Sequence, residues 1–265
     1  IDSLIKNEST EKVGDSKNSS WDEQAKIDVL SDMLVEKSFR EVDDIKSIVS
    51  EEKREIIKFN DSGKYLIAYD PLDWSSLIDV NLSVWSIFGI YENDFNWSDL
   101  VWAAYITYGP RLEVVFADEN WVRFFRFIWG EFKELEMKGM KEEWSIIAPG
   151  WKNTDWTDYH RNIIDDFWKK GYKIRYSGCM VLDLHQIILK WWWMFTYPEI
   201  WKNWKSRLRK LFEVFPFAFI FEKLSWGAID HKWRRILENW YESFHDTIPC
   251  YFGSRSEIEN IKRFL

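Results

Sequence analysis

Polar segments and segments with regularly spaced apolar side chains alternate at the start of the chain. Residues 6–22 are polar, rich in serine and nearly free of apolar side chains, which predicts a flexible loop. In residues 23–38 apolar side chains recur at helical spacing, and Asp28 stands one step from them. This pattern predicts an amphipathic helix with a carboxylate beside its buried face.

Short apolar runs follow at close spacing in the middle of the chain. The first, at 65–69, is bounded by Asp70 and Pro71, which predicts a buried strand that ends at a carboxylate. Turn residues such as Gly109 and Pro110 separate the later runs, so we expect an antiparallel meander. The further predicted strands are 82–91, 102–107, 112–117, 122–127 and 131–137.

From residue 145 onward, helical periods alternate with short apolar runs. This alternation predicts helices that cover a second sheet, so the fold class is α/β with layered sheets and helices. Residues 1–145 and 146–265 would form two tightly joined halves. The predicted helices are 157–170, 180–190, 207–224 and 254–264, and the predicted strands lie near 172–176, 194–197 and 249–252, while 217–221 fits either element.

Composition excludes several classes of protein. The 36 Lys and Arg residues against 44 Asp and Glu residues give a net charge of −8, so no basic surface for nucleic acid is expected and substrate phosphates must be neutralised locally. Cys179 and Cys250 are far apart and outside any zinc-binding spacing, which favours a reducing compartment, the cytoplasm. No apolar run is long enough to span a membrane.

The segment from Asp70 to Ser76 carries the strongest chemical signal. Two carboxylates, Asp70 and Asp73, stand three residues apart on a proline-stiffened turn that leaves a buried strand, and this placement calls for cations. Ser75 and Ser76 suit the start of a helix, whose free N–H groups bind anions. Glu51 and Glu52 end an earlier apolar stretch, and such a set of hard oxygen ligands favours Mg²⁺ or Mn²⁺ over Zn²⁺.

These residues resemble the class I fructose-1,6-bisphosphatases. The string from Asp70 to Asp79 is similar to the metal-binding signature of that family, and the string from Arg175 to Met180 is similar to a second family motif; the resemblance covers most of the chain. It implies an α-β-α-β-α sandwich and hydrolysis of the 1-phosphate of fructose 1,6-bisphosphate in gluconeogenesis. It also implies a phosphorylated-sugar substrate and a homo-oligomer, either a tetramer or a dimer.

The resemblance further implies roles for individual residues. Two or three Mg²⁺ ions, with Mn²⁺ as an alternative, would be bound by Glu51, Glu52, Asp70, Leu72 through its carbonyl, Asp73 and Glu213. The catalytic residues that orient or deprotonate the attacking water would be Asp22, Asp28 and Glu52. Substrate would be held by Asp73, Ser75, Ser76, Arg175 from a neighbouring subunit, Tyr176, Tyr197 and Arg207.

Three alternatives stay open at the level of sequence. A related phosphatase could act on sedoheptulose bisphosphate or on an inositol phosphate, and an inactive homologue could serve as a binding or structural subunit. The last alternative arises from 19 tryptophans in 265 residues, several of which stand where the resemblance implies glycine. These are Trp21, Trp74, Trp85, one or two of Trp191 to Trp193, and Trp226. An indole cannot copy a glycine that has positive φ or touches another backbone closely.

Overall fold

The computed structural model contains two large β-sheets and six α-helices in the part of the chain that it describes. That part comprises residues 1–8, 12–17, 23–137, 146–190, 193–199 and 206–264, with side chains omitted at 12–17, 23–25 and 193. Asp22, Trp21, Trp191 and Trp192 therefore lie outside the described residues. The α-helices are α1 (Asp2–Asn7), α2 (Lys26–Arg40), α3 (Asp158–Lys169), α4 (Met180–Lys190), α5 (Phe215–Lys223) and α6 (Arg255–Lys262).

The first large sheet has eight strands in the order β10-β9-β8-β7-β6-β5-β3-β4. Strands β5 to β10 form an antiparallel meander, whereas β3 and β5 run parallel. Along β8 buried and half-buried residues alternate, as expected when one face of a sheet covers the core. The strands are β3 (Ile45–Ser50), β4 (Ile57–Lys58), β5 (Tyr65–Asp73), β6 (Val84–Tyr91), β7 (Leu100–Tyr108), β8 (Leu112–Ala117), β9 (Val122–Ile128) and β10 (Glu131–Leu135).

The second large sheet has five strands in the order β12-β11-β13-β15-β14. Strand β11 runs parallel to both β12 and β13, and β15 runs antiparallel to β13 and β14. A separate two-stranded ribbon near the N-terminus pairs β1 (Lys12–Lys17) with β2 (Glu23–Ala25). The strands of the second sheet are β11 (Ile146–Pro149), β12 (Lys173–Ile174), β13 (Trp193–Tyr197), β14 (Gly227–Ile229) and β15 (Cys250–Gly253).

Helices and sheets stack in alternating layers. Helix α2 covers the outer face of the first sheet at β3 and β5. Helix α5 lies between the sheets, where it contacts β6, β7 and β8 on one side and β14 on the other, and α4 joins the same core. Apolar residues of α3 and α6 pack on the far face of the second sheet. The order is the α-β-α-β-α sandwich of an α/β layered fold.

Helix α5 shows why one sequence segment was ambiguous. Every residue from Phe215 to Phe221 is buried, because the helix is covered by a sheet on each side. A helix that is buried all round has no polar face and so no helical period. Residues 217–221, which fit a strand equally well by sequence, are therefore helical, and Pro216 at the first turn favours that start.

Other boundaries also differ from the sequence-based prediction, and residues 12–17, which were predicted to belong to a flexible loop, form strand β1. Two of the differences lie at the strand end that carries Asp70 and Asp73. Strand β5 continues through Pro71 to Asp73 instead of ending at Tyr69, because its pairing with β6 resumes after an irregularity between Asp70 and Asp73. The segment after Asp73 forms a 3₁₀-helix, Ser75–Val80, rather than an α-helix. Among the residues that the structure describes, no helix is both long and apolar enough to cross a membrane.

Helix α6 offers a test of how its start is stabilised. The Ser254 side chain accepts a hydrogen bond from the Glu257 backbone N–H at 3.3 Å, while Glu257 Oε2 accepts one from the Ser254 N–H at 3.1 Å. We expect Ser254→Ala to lower the free energy of unfolding by about 1 kcal/mol, and Ser254→Gly by only a few tenths of that. Urea unfolding of both variants measures the difference; equal losses would contradict the capping role.

Candidate active site

Three carboxylates meet at one edge of the first sheet. Because β3 and β5 are parallel neighbours, their C-terminal ends lie side by side. Glu51 directly follows the end of β3, and Asp70 and Asp73 belong to the last four residues of β5. The backbone N–H of Glu51 donates to the Tyr69 carbonyl at 3.0 Å, which fixes the two strand ends together. Sheet pairing therefore brings residues 51, 70 and 73 to one place.

The irregular end of β5 aims its two aspartates. The Asp70 side chain accepts a hydrogen bond from the Leu72 N–H at 3.0 Å, and the strand loses its regular register between Asp70 and Asp73. Asp73 accepts a hydrogen bond from the indole N–H of Trp85 on β6. Asp70 and Leu72 are buried, so the local backbone determines their depth and direction.

A fourth carboxylate enters from a π-helical turn, Lys210–Val214, which packs against β5 and leads into α5. It is Glu213, which is buried and accepts a hydrogen bond from the Arg209 backbone N–H at 2.5 Å. The side chain of Arg209 forms an ion pair with Glu51, with Nη1 and Oε1 2.5 Å apart. Short π-helical segments are frequent at functional sites. This one begins directly after Arg209 and so places the guanidinium of that residue beside the acidic groups.

Burial and nearby negative charges raise the pKa values of Asp70, Asp73 and Glu213. Burial raises the pKa of Asp73 to about 7, with the negative charge of Glu51 as the next cause. Burial also raises the pKa of Asp70, followed by Glu51 and Asp73, and that of Glu213, followed by Asp73 and Glu51. The same groups act on one another, so Glu51, Asp70, Asp73 and Glu213 form one electrostatic cluster, the acidic cluster.

Arg209 is the positive partner of the acidic cluster. Burial disfavours its charged form, but the nearby carboxylates of Glu51, Glu213, Asp70 and Asp73 outweigh that effect and raise its pKa. Several buried carboxylates beside one guanidinium leave an excess of negative charge. Such a set of hard oxygen donors fits divalent cations such as Mg²⁺, although no three Asp, Glu, His or Cys side chains in the described ranges are grouped closely enough to hold a metal ion as they stand.

Glu52 and Asp28 flank the cluster. Glu52 is half-buried in the turn after β3, and its backbone N–H donates to Ser50 Oγ at 3.2 Å. Asp28 is buried in the first turn of α2. Behind them, Asp32 accepts hydrogen bonds from Ser50 Oγ at 2.6 Å and Tyr69 Oη at 2.8 Å. This buried network anchors α2 to the ends of both site-bearing strands.

The predicted substrate residues approach the acidic cluster through Tyr197. Burial raises the pKa of Tyr197, and the further causes include Tyr176 and Glu213, while Arg207 opposes the shift. Tyr197 is therefore close to Glu213 as well as to Tyr176 and Arg207. Tyr176 is half-buried and Arg207 is exposed.

Trp151 stands among these same residues. The Arg207 guanidinium lies 4.4 Å from the centre of its ring, and the Tyr197 ring lies 6.2 Å away. Its backbone N–H donates to Tyr176 Oη at 3.4 Å. The indole thus covers the cation that the sequence assigned to substrate binding.

Arg175, Ser75 and Ser76 lie at the surface of this region. Arg175 is exposed and its backbone N–H donates to the Ile147 carbonyl at 3.0 Å, while Ser75 is half-buried and Ser76 exposed at the start of the 3₁₀-helix. Trp74 precedes them with a left-handed backbone, φ 61°. Ser75 and Ser76 follow Asp73 closely in sequence, whereas no described contact links Arg175 to the acidic cluster; the binding roles of all three stay predictions.

Two residues of the site escaped the sequence analysis. Arg209 was missed because a lone arginine before an apolar run has no distinctive pattern, although its spacing of four from Glu213 was visible. Asp183 was given no role by the sequence; its carboxylate accepts the Ser177 N–H at 3.1 and 3.2 Å and so fixes the loop that carries Tyr176. Only the fold reveals either contact.

Comparisons with known proteins give a consistent picture. Family models for the N-terminal and the C-terminal domain of fructose-1-6-bisphosphatase match residues 6–136 and 140–265. A class 1 fructose-1,6-bisphosphatase from Campylobacter hominis is 45% identical over 92% of this chain and 88% of its own length. One from Helicobacter hepaticus is 43% identical over 99% of this chain and 93% of its own length.

Solved structures agree with the architecture. The holo form of Leishmania major fructose-1,6-bisphosphatase superposes with a TM-score of 0.89 at 28% identity, over 99% of this chain and 89% of that one. A Toxoplasma gondii protein described as a candidate sedoheptulose-1,7 bisphosphatase gives a TM-score of 0.87 at 24% identity, over 99% of this chain and 89% of that one. The second likeness supports the fold alone.

The buried carboxyl of Asp183 predicts a pH effect on stability. Burial raises its pKa from 3.8 to about 7, so between these values the folded protein holds a proton that the unfolded chain releases. Stability therefore falls as pH rises through this window, by at most about 1.4 kcal/mol per pH unit. We expect Asp183→Asn, which keeps an acceptor for Ser177, to reduce that fall in urea unfolding of metal-free protein at pH 5 and pH 7.

The control for this measurement is Asp158→Asn, which removes an exposed carboxylate in the first turn of α3. This variant should retain the slope of the unchanged protein. If Asp183→Asn and Asp158→Asn show the same slope, Asp183 is not the group responsible.

Proposed function

Since the chain belongs to the fructose-1,6-bisphosphatase family, we propose that it hydrolyses the 1-phosphate of fructose 1,6-bisphosphate. The products would be fructose 6-phosphate and inorganic phosphate, a step of gluconeogenesis. The observation that carries the proposal is the acidic cluster, in which carboxylates from three separate segments lie so close together that burial and the charges of Glu51 and Asp73 raise the pKa values of Asp70 and Glu213. A phosphate dianion cannot approach such a cluster unless cations intervene, so the cluster suits metal-dependent phosphoryl transfer.

We assign two or three Mg²⁺ ions to this cluster, with Mn²⁺ as an alternative. When bound, they would neutralise the phosphate dianion, lower the pKa of a water molecule and stabilise the leaving alkoxide. Glu51, Glu52, Asp70, Asp73, Glu213 and the carbonyl of Leu72 are the donors that we propose for them. Since Arg209 already pairs with Glu51, cations and this guanidinium compete for the same carboxylate.

The chain's own side chains then divide the remaining work. Asp28 and Glu52 border the cluster, and we assign to them the orientation of the attacking water and the acceptance of its proton, together with Asp22. Ser75 and Ser76, at the start of the 3₁₀-helix, would contact the reacting phosphate. General acid–base assistance of this kind contributes about 10²–10⁴ to a rate.

The distal phosphate and the sugar would bind where the cationic and phenolic groups collect. Arg207 is exposed beside Tyr197 and Tyr176, and a guanidinium can bind two oxygens of a phosphate. Arg175 is exposed, which suits the contribution that we propose for it to the site of a neighbouring subunit in a homo-oligomer, a tetramer or a dimer. The cytoplasm is the compartment that we propose, since both Cys179 and Cys250 are free thiols.

The central test is removal of one carboxylate from the acidic cluster. We expect Glu213→Gln to reduce phosphate release from fructose 1,6-bisphosphate beyond the roughly 10–100-fold loss typical of residues that only support metal ligands. Titration calorimetry with Mg²⁺ should show weaker binding in the same variant. The control is Glu259→Gln, an exposed residue of α6 that pairs with Lys262, which should leave both measurements unchanged.

Substrate choice is settled by the same assay with Mg²⁺ present and absent. Faster release from sedoheptulose 1,7-bisphosphate or from an inositol phosphate would replace the proposed substrate but keep the chemistry. An absence of release from all three substrates at saturating Mg²⁺ would favour the inactive binding or structural subunit.

Trp74 generates a second prediction about activity. It joins Asp73 to Ser75 in a left-handed conformation that costs a residue other than glycine about 1–3 kcal/mol. We expect Trp74→Gly to raise kcat for fructose 1,6-bisphosphate by up to roughly tenfold, because glycine lets the loop place Asp73 for the transition state without backbone cost, and about 1.4 kcal/mol of added transition-state stabilisation is worth that factor. Trp74→Ala removes the ring but keeps Cβ and should gain less; unchanged or lower activity in Trp74→Gly would count against strain in this loop.

A further inference from the structure

Four tryptophans have a backbone conformation that suits glycine. Trp74, Trp129, Trp151 and Trp233 have φ values of 61°, 55°, 66° and 62°. Left-handed φ is uncommon in residues other than glycine, and those that do adopt it are mainly Asn, Asp and His, while a bulky side chain there is an outlier. We call these four the left-handed positions; they are four of the six non-glycine residues with positive φ in the described ranges.

The clearest case is the hairpin between β9 and β10. Its loop is only two residues long, Trp129 and Gly130, with φ values of 55° and 90°. Positive φ at both central residues is the type I′ turn, which matches the twist of the flanking strands and is dominated by Gly-Gly, Asn-Gly and Asp-Gly. The pairing of β9 with β10 therefore imposes a glycine conformation on position 129.

The surroundings of Trp129 and Trp74 do not explain an indole. The Trp129 residue is 95% exposed, and Trp74 is exposed with no capping hydrogen bond from its side chain. The Trp129 ring is almost wholly in solvent and gains little from burial that could offset the backbone cost. Trp74 is 40% exposed, and its side chain makes no capping hydrogen bond that would favour the left-handed conformation.

Trp156 shows what a tryptophan suited to its site looks like in this chain. Its backbone is extended, with φ −69°, and its side chain is buried. Its indole N–H donates to the Gly150 carbonyl at 2.9 Å, and its ring meets His160 edge-on at 5.0 Å. Every polar and apolar part of the residue has a partner, as is usual for a buried tryptophan.

Composition points the same way as the backbone. The chain has 19 Trp and 11 Gly, and 11 of 265 residues is below the average glycine usage of about 7%. A surplus of the largest side chain accompanies a shortage of the smallest one. At the left-handed positions tryptophan occupies a backbone conformation that suits glycine, which connects the high tryptophan count with the low glycine count.

We infer that the four left-handed positions carry glycine in the protein that its own cell makes, whereas Trp156 is a true tryptophan. The cause would be a codon whose meaning differs between genetic codes: UGA is read as tryptophan in some codes and as glycine in others. The four left-handed positions then share UGA, and Trp156 is encoded by UGG. This inference uses backbone geometry and burial and does not depend on the reaction that the protein catalyses.

The inference changes the candidate active site at two points. Position 74 lies between Asp73 and Ser75, and glycine there adopts φ near 60° without strain. Position 151 covers Arg207, and without the indole this guanidinium faces the same space as Tyr176 and Tyr197. Without the indole, the binding side of the site is more open, and the positive charge of Arg207 is no longer covered by a ring.

Peptide masses from the native protein test the inference directly. Trypsin releases 127–133, whose sole tryptophan is Trp129, and 153–161, whose sole tryptophan is Trp156. We expect 127–133 at the mass for glycine and 153–161 at the mass for tryptophan. A tryptophan mass for 127–133 would overturn the inference, and a glycine mass for both peptides would overturn the claim that conformation separates the two kinds of position.

Stability measurements on the recombinant chain provide an independent readout. Since the Trp129 ring is almost wholly in solvent, Trp129→Gly changes mainly the backbone cost, and we expect Tm to rise by roughly 2–4 °C. The matched variant Trp129→Ala retains Cβ and should gain less, while Trp156→Gly should lower Tm. Equal shifts for Gly and Ala at 129, or a higher Tm for Trp156→Gly, would contradict the assignment.

Discussion

The site depends on one electrostatic imbalance: among the described residues, four buried or half-buried carboxylates face the guanidinium of Arg209. Burial of like charges is costly unless a cation stands among them, and Arg209 supplies one positive charge beside Glu51, Asp70, Asp73 and Glu213. In our proposal, the negative charge that Arg209 leaves unbalanced gives the cluster its affinity for divalent ions. Burial and the same imbalance raise the pKa values of Asp70, Asp73 and Glu213, and in our proposal the imbalance is also why the substrate's phosphate needs intervening metal.

Local sequence was sufficient for the parts of the site that lie within one short segment. Asp70 and Asp73 could be recognised because a strand, a proline and two carboxylates follow one another, and the amphipathic period of α2 predicted where Asp28 lies. Arg209 could not be recognised, because its meaning comes from Glu51, which is remote along the chain and close only in the fold. Asp22 lies outside the described residues, so its role stays a prediction.

Fold class was predictable from the alternation of elements, but the middle layer was not. The meander from β5 to β10 and the helices α3, α4 and α6 follow from turn residues and periodicity. Helix α5 is different. Because sheets cover it on both sides, it has no polar face, and its sequence therefore lacks the alternation of apolar and polar residues that identifies a helix. The family matches confirm the layered α/β fold, and the division at residue 145 stays a prediction.

The parallel pairing of β3 with β5 has a consequence for assembly of the site. Glu51, Asp70 and Glu213 belong to segments far apart along the polypeptide, so a partly folded chain that lacks this pairing has no cluster to offer a cation. Ligands that bind only the native state stabilise it by mass action. Divalent ions would therefore stabilise the chain only at a late stage of folding, because they bind only molecules in which both strand ends and the π-helical turn have already come together.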